Sequence, residues 1–161
     1  SKNRKVSYDT LSNYVGYIEE AFLAYKTERY NIKGKDVVAG NCKYYLNDLS
    51  FKNFLYPGFA YGVGYLLENA VYLELRRLGY IVYTGSFRDK EVDFVAMKDD
   101  RVIYLQATYM LETAQTMERE YAPLLTIGDN YEKYVVSMDE VQFPSNEGVR
   151  HIQAWNLKEI L

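Results

Sequence analysis

The sequence predicts an α/β protein, and the order of its periodic segments and the shortness of its joins support that class. From residue 65 onward the pattern runs helix, three strands, helix, two strands and a short terminal helix. Only a few residues join the three consecutive strands, which predicts an antiparallel meander. With 161 residues, 48% of them hydrophobic, the chain can bury a core without disulfides.

The first 50 residues predict a small N-terminal element. Ser7 is a suitable N-cap for an amphipathic helix that extends to about Tyr25, with apolar positions at Leu11, Tyr14, Ile18, Phe22 and Tyr25. Two short β-prone runs, 29–35 and 43–46, follow around a turn and predict a hairpin. A basic start, one helix and a hairpin are typical of part of a winged helix-turn-helix. We therefore expect this element at 1–50 and the main domain at 51–161.

A loop-rich connection at 47–64 is expected to lead from the N-terminal element into the main domain. The predicted elements are then a helix at 65–78 stopped by Gly79, strands at 80–84, 91–97 and 102–109, a helix at 113–127, strands at 133–138 and 149–155, and a terminal helix capped by Asn156. Pro123 should kink or shorten the second of these helices.

Composition indicates a soluble, cytoplasmic protein without a membrane span. Cys42 is the single cysteine, so it forms neither an internal disulfide nor a zinc pattern. No apolar run approaches the roughly 18 to 20 residues that a spanning helix needs. The net charge is −3, but residues 1–43 carry +3 and the remainder −6, so local binding of nucleic acid stays open.

Several oxygen-bearing side chains are predicted to converge. Glu68 lies at the border of the apolar stripe of its helix, and alternation along a strand places Glu91, Asp93 and Val95 on one face. Pairing of the next strand would bring Gln106 near Asp93. Two carboxylates and an amide suit Mg²⁺ or Mn²⁺, which could polarise a phosphate and activate water. Ordinary solvated charges are the alternative interpretation.

Separated stretches along the chain carry a family resemblance. They are VSYDTLSNY at 6–14, KYYLND at 43–48, GYLLEN at 64–69, EVDFV at 91–95 and YLQA at 104–107, with ERE at 118–120 and YEK at 131–133. In this order the chain resembles the C-terminal domain of unknown function that follows the ATPase module in a prokaryotic family of AAA-type ATPases, a domain assigned to the PD-(D/E)XK nuclease superfamily. The resemblance implies a restriction-endonuclease-like mixed sheet flanked by helices.

The resemblance also implies site roles. Glu68 matches the helix glutamate of such nucleases, Asp93 the metal-binding aspartate, and Gln106 the first residue of the E-x-K element. Gln106 lacks the charge that holds Mg²⁺ firmly, and Thr108 stands where the catalytic lysine belongs. Neither Lys90, on the face opposite Asp93, nor Lys98, in the next turn, is well aimed to replace it. Catalysis is therefore expected to be degenerate or absent.

The N-terminal helix is where a recognition helix would fall. Its exposed Tyr8, Ser12 and Asn13, with Arg4 and Lys5 before them, could contact DNA. The same helix could instead dock the ATPase module.

Three hypotheses follow. The first is an accessory module of a AAA-type ATPase that binds nucleic acid or a protein partner; the second is an active Mg²⁺-dependent endonuclease; the third is a purely structural or oligomerising domain. The chain has no Walker lysine, so ATPase activity would belong to a parent module. The lone His151 is expected to be structural.

Overall fold

The computed structural model describes residues 6–55, 57–58 and 62–161. Its helices are α1 (Tyr8–Glu20), α2 (Ser50–Leu55), α3 (Val63–Arg77) and α4 (Ala114–Leu125), with a 3₁₀ helix at Ala154–Glu159. Its strands are β1 (Ala24–Asn31), β2 (Asp36–Leu46), β3 (Ile81–Phe87), β4 (Lys90–Lys98), β5 (Arg101–Ala107), β6 (Glu132–Ser137) and β7 (Val149–Gln153).

Seven strands from the described part of the chain form one mixed sheet in the order β2-β1-β3-β4-β5-β6-β7. The β3-β4-β5 segment is an antiparallel meander, as the short joins predict. The pairs β1/β3, β5/β6 and β6/β7 are parallel. The α/β class and the mixed sheet with flanking helices are thus confirmed.

Two apolar clusters hold the helices on opposite faces of the sheet. On one face α3 contributes Leu67, Val71, Tyr72 and Leu75, which pack with Phe94, Ile103 and Leu105. On the other face α4 contributes Tyr121 and Leu124, which pack with Val92, Val95, Tyr104 and Val135. Helices on both faces explain why β4 and β5 are nearly continuous apolar runs rather than alternating ones.

A β-bulge interrupts β4 at the position that matters for the site. Tyr83 pairs with Val95 and Gly85 pairs with Val92, so Asp93 and Phe94 together face one residue of β3. Val92 and Val95 therefore pack in the α4 cluster while Phe94 packs in the α3 cluster. The regular alternation expected from the sequence, with Asp93 and Val95 on one face, is wrong at this bulge.

The N-terminal hairpin is not a separate wing. β1 pairs in parallel with β3, so the hairpin expected within a distinct element at 1–50 instead extends the main sheet at its edge. Its strands begin earlier than expected, at Ala24 and Asp36. α1 begins after the predicted N-cap Ser7, whose hydroxyl accepts from the Thr10 N–H. The helix ends at Glu20 rather than near Tyr25, and no residue of α1 is buried.

The other element predictions hold with two exceptions. α3 and α4 lie within two residues of their predicted bounds, and Gly79 follows α3 with a φ of +88°. α2 lies inside the segment expected to be loop. Asn156 lies within the terminal 3₁₀ helix, whose N-cap is Gln153, because β7 ends two residues earlier than predicted.

Candidate functional site

Three carboxylates converge on one lysine at the edge of the α3 face. Lys43 Nζ lies 2.9 Å from Glu68 Oε1, 3.0 Å from Glu91 Oε1 and 3.2 Å from Asp93 Oδ1. We call Lys43, Glu68, Glu91 and Asp93 the carboxylate–lysine cluster. Glu68 and Asp93, the two acids predicted from the sequence, are therefore brought together, and the group between them is an ammonium.

Asn69 fixes strand β2, which carries Lys43, against helix α3, which carries Glu68. Its side-chain Oδ1 accepts from the Leu46 N–H at 2.8 Å, and its Nδ2 donates to the Leu46 carbonyl at 2.9 Å. The backbone N–H and C=O of Leu46 are thereby both hydrogen-bonded at the outer edge of the sheet. One residue earlier in β2, the Tyr45 hydroxyl donates to Glu68 Oε1 at 2.8 Å. The strand and the helix are thus joined at two adjacent positions.

Asp93 is held at the β-bulge with little access to water. Its side chain is 11% exposed, and its Oδ2 accepts from the Ala107 N–H at 3.0 Å. Burial, followed by the charge of Glu68, raises the pKa of the Asp93 carboxyl to about 6 against the opposing effect of Lys43. A buried acid in this environment requires a nearby cation to remain ionised.

Lys43 is that cation. Burial alone would lower the pKa of its ammonium, but the charges of Asp93 and Glu68 outweigh burial and hold the pKa above its usual range. Lys43 is therefore positively charged at neutral pH. Burial, followed by the Glu68 charge, raises the pKa of the Tyr45 hydroxyl, which remains a donor.

Gln106 adjoins Asp93 as predicted, but its amide is occupied. Its Oε1 accepts from the Asp93 backbone N–H at 3.2 Å, and its Nε2 donates to Glu120 Oε2 at 3.2 Å. Glu120 is itself paired with Arg119 at 2.6 Å. Gln106 thus links β4 and β5 to α4 by hydrogen bonds.

Thr108 directly follows β5 and is buried, with its backbone N–H donating to the Val136 carbonyl at 3.0 Å. Its neutral hydroxyl supplies no positive charge. Lys90 Nζ instead contacts the Ala122 carbonyl, and Lys98 Nζ donates to the Leu78 carbonyl. Both lysines are directed elsewhere, as expected from the sequence.

The residues present do not form a ready site for Mg²⁺ or Mn²⁺. Across the described ranges, no three His, Cys, Asp or Glu side chains are arranged as a metal-ligating group. The Lys43 ammonium lies at the point on which the Glu68 and Asp93 oxygens converge, and a divalent ion would have to displace it. The expected metal ligands are together, but the Lys43 ammonium lies between them and offsets part of their negative charge.

Sequence reasoning missed Lys43 and Tyr45 as members of this site, and it placed Glu91 on the face of Asp93 without assigning it a role. Lys43 and Tyr45 are two positions apart in a strand, so they share a face, and this signal was present in the run KYYL. Their approach to Glu68 depends on the pairing of β1 with β3, which joins segments more than 50 residues apart. Local periodicity does not encode that pairing.

The predicted DNA-contacting residues on α1 have no basic side chain beside them on that helix. Tyr8, Ser12 and Asn13 are exposed on α1, whose only charged residues are Asp9, Glu19 and Glu20. Arg4 and Lys5 lie outside the described residues. Basic residues instead concentrate on the next segment: residues 24–55, which span the hairpin and α2, contain six Lys or Arg and three Asp or Glu.

A cavity of about 400 Å³ opens beside the cluster, between β2, α2 and the start of α3. Lys43 and Glu68 of the cluster line it, together with Leu49, Lys52 and Tyr65. Tyr65 is 70% exposed, so its ring is accessible to a ligand.

A second polar network surrounds His151 and is structural. The Ser137 hydroxyl lies 2.7 Å from Asp139 Oδ2 and 2.8 Å from His151 Nε2. The Phe143 N–H donates to His151 Nδ1, which requires the neutral tautomer with a proton on Nε2. The serine lies between the acid and the histidine, which is the wrong order for a nucleophilic triad. Burial lowers the pKa of this histidine.

Fold and site define a mixed α/β protein with a carboxylate–lysine cluster at the sheet edge. Over 137 residues the chain is 35% identical to an uncharacterized protein of Haemophilus influenzae, covering 85% of this chain and 34% of that protein. It is 31% identical over 122 residues to the uncharacterized protein MJ1544 of Methanocaldococcus jannaschii, covering 73% of this chain and 26% of that protein. The chain thus spans about a third or less of these relatives.

No family model matches the chain, and no solved structure matches it. Within the described residues, every helix is too short or too polar to cross a membrane.

Proposed function

We propose that this chain is an accessory module of a longer AAA-type ATPase, with a restriction-endonuclease-like fold that binds nucleic acid but has lost metal-dependent hydrolysis. The length of the relatives and the family resemblance support the larger protein. The mixed sheet with α3 and α4 on opposite faces is compatible with such a fold. Function must still be argued from the site, because one scaffold can serve many activities.

The observation that carries the loss of hydrolysis is the position of Lys43. A metal-dependent hydrolase needs a cation that binds both the phosphate and the attacking water, held by acidic oxygens with open coordination positions. Here the oxygens of Glu68 and Asp93 bind the ammonium of Lys43 instead. The amide of Gln106 is engaged at both ends and supplies no negative charge.

The observation that supports nucleic-acid binding is the charge of the segment beside the cavity. The 24–55 segment has a net charge of +3 in a chain of net charge −3. Phosphate contacts from Lys and Arg provide most of the affinity of proteins for nucleic acids and make it salt-dependent. The acidic helix α1 is then better suited to docking against another part of the larger protein than to contacting DNA.

An active Mg²⁺-dependent endonuclease is a second candidate, and one observation favours it. Lys43 contacts both acids and is 29% exposed, so it supplies near the cluster the positive charge that Thr108 lacks. In this alternative the lysine would stabilise the phosphate while Glu68 and Asp93 hold the ion. The two candidates make opposite predictions for cleavage.

Binding and cleavage of DNA test the proposal together. The 161-residue chain and Asp93→Ala are incubated with single-stranded, double-stranded and branched DNA, with Mg²⁺ or Mn²⁺ at millimolar concentration. We expect salt-dependent retention of DNA by both proteins and no cutting by either. Metal-dependent cutting that disappears in Asp93→Ala would establish the nuclease, and no retention of any DNA would leave neither candidate standing.

A further inference from the structure

The cavity beside the carboxylate–lysine cluster has the properties of a site for a single nucleotide. Its volume of about 400 Å³ lies near the lower end of the range typical of small-ligand pockets. A paired base cannot enter such a cavity unless it is flipped out of its duplex, which costs stacking and pairing energy. An unpaired nucleotide has no such cost.

Aromatic and apolar side chains form the part of the cavity that a base would contact. The Tyr65 ring is 70% exposed at the start of α3. Leu49 and Leu66 complete the apolar lining. Stacking on tyrosine accepts any base, because every base presents a π face. This lining can therefore accept a base without discriminating among the four bases.

Cationic side chains line the part that a phosphate would contact. Lys52 on α2 and Lys43 on β2 both border the cavity. Glu68 also borders it, and its Oε1 binds the Lys43 ammonium and the Tyr45 hydroxyl. Because the charge of Lys43 is already shared among three carboxylates, we assign the phosphate contact to Lys52.

We propose that this cavity binds one unpaired nucleotide of a single-stranded nucleic acid, with the base on Tyr65 and the phosphate toward Lys52. This inference rests on the proposed function and names its ligand class: a single-stranded segment, or the single-stranded end of a branched molecule. Lys43 then has two roles, as the counter-ion of Glu68 and Asp93 and as part of the cavity wall.

Fluorescence anisotropy with labelled oligonucleotides tests the inference. The probes are a ten-nucleotide oligothymidine, the same backbone with abasic sites in place of the bases, and a blunt duplex. The proteins are the 161-residue chain, Tyr65→Ala and the control Tyr109→Ala, which removes a tyrosine that is 41% exposed and outside the cavity lining. Circular dichroism verifies that both variants are folded.

We expect the oligothymidine to bind more tightly than either other probe, and Tyr65→Ala to weaken it about ten-fold, the effect of losing one stacked base. Tyr109→Ala should bind like the unmodified chain. Equal binding of the abasic backbone, or no effect of Tyr65→Ala, would overturn the nucleotide cavity while leaving nucleic-acid binding in place. Binding of none of the three probes would overturn both this inference and the proposed nucleic-acid binding.

Discussion

Replacing Asn69 with alanine should loosen the attachment of strand β2 to helix α3. The side chain is buried and makes both hydrogen bonds to the backbone of Leu46, at 2.8 and 2.9 Å. A lost partner costs about 1–3 kcal/mol for each buried polar group, and the lower end applies because Leu46 is only half-buried and water can reach it in part. We expect Asn69→Ala to lower the free energy of unfolding by about 2–3 kcal/mol.

Urea denaturation followed by circular dichroism measures this loss. With a slope of about 2 kcal/mol per molar urea, the unfolding midpoint should fall by about 1–1.5 M. Asn41→Ala is the matched control, because Asn41 lies on the same strand and is exposed. Asn41→Ala should leave the midpoint nearly unchanged. A loss below about 0.5 kcal/mol for Asn69→Ala would refute the view that this side chain positions Lys43 and Tyr45 against Glu68.

Two further predictions concern the sheet and the histidine. A Cβ at Gly85 would lie 2.9 Å from Val95 Cγ2, so Gly85→Ala should cost about 2 kcal/mol and lower the melting temperature by about 4–8 °C. Gly16→Ala, where a Cβ meets nothing within 4 Å, should cause no such fall, and an unchanged melting temperature for Gly85→Ala would contradict the crowding. Burial lowers the pKa of His151, so the unfolded chain binds more protons at this group than the folded chain does. The free energy of unfolding should therefore decrease as the pH falls below about 6.5, the ordinary pKa of histidine. The single imidazole signal in a proton NMR titration should have its midpoint below that value, and a midpoint above it would contradict the neutral tautomer that Phe143 requires.

The sequence predicted the parts of the fold that local patterns encode. The stripe of α3 and the stop at Gly79 indicated that helix, and short joins indicated the meander. Glu68 and Asp93 were predicted to converge, and they contact the same ammonium. The bulge at Asp93 was missed, because pairing of two residues with one of a neighbouring strand is a property of the assembled sheet.

Lys43 was missed for a related reason. It belongs to a hairpin that the sequence suggested was a separate winged element, whereas parallel pairing of β1 with β3 brings the hairpin beside α3. Lys90 and Lys98, the lysines near Asp93 along the chain, contact the Ala122 and Leu78 carbonyls instead. The positive charge that Thr108 lacks is instead supplied by Lys43, which is 50 residues from Asp93 in the sequence.

Calorimetric titration with Mn²⁺ tests most directly the central claim that Lys43 takes the place of a metal ion. Lys43→Met removes the ammonium but keeps an unbranched side chain, and Lys26→Met removes an exposed lysine of the same hairpin as a control. Adding Asp93→Asn to Lys43→Met removes the negative charge of one of the three converging acids.

We predict that Lys43→Met binds Mn²⁺ at least about ten-fold more tightly than the unmodified chain, a gain of about 1.4 kcal/mol. The gain should disappear in the double variant, and Lys26→Met should behave like the unmodified chain. Tight Mn²⁺ binding by the unmodified chain with no gain in Lys43→Met would contradict the account and favour the nuclease.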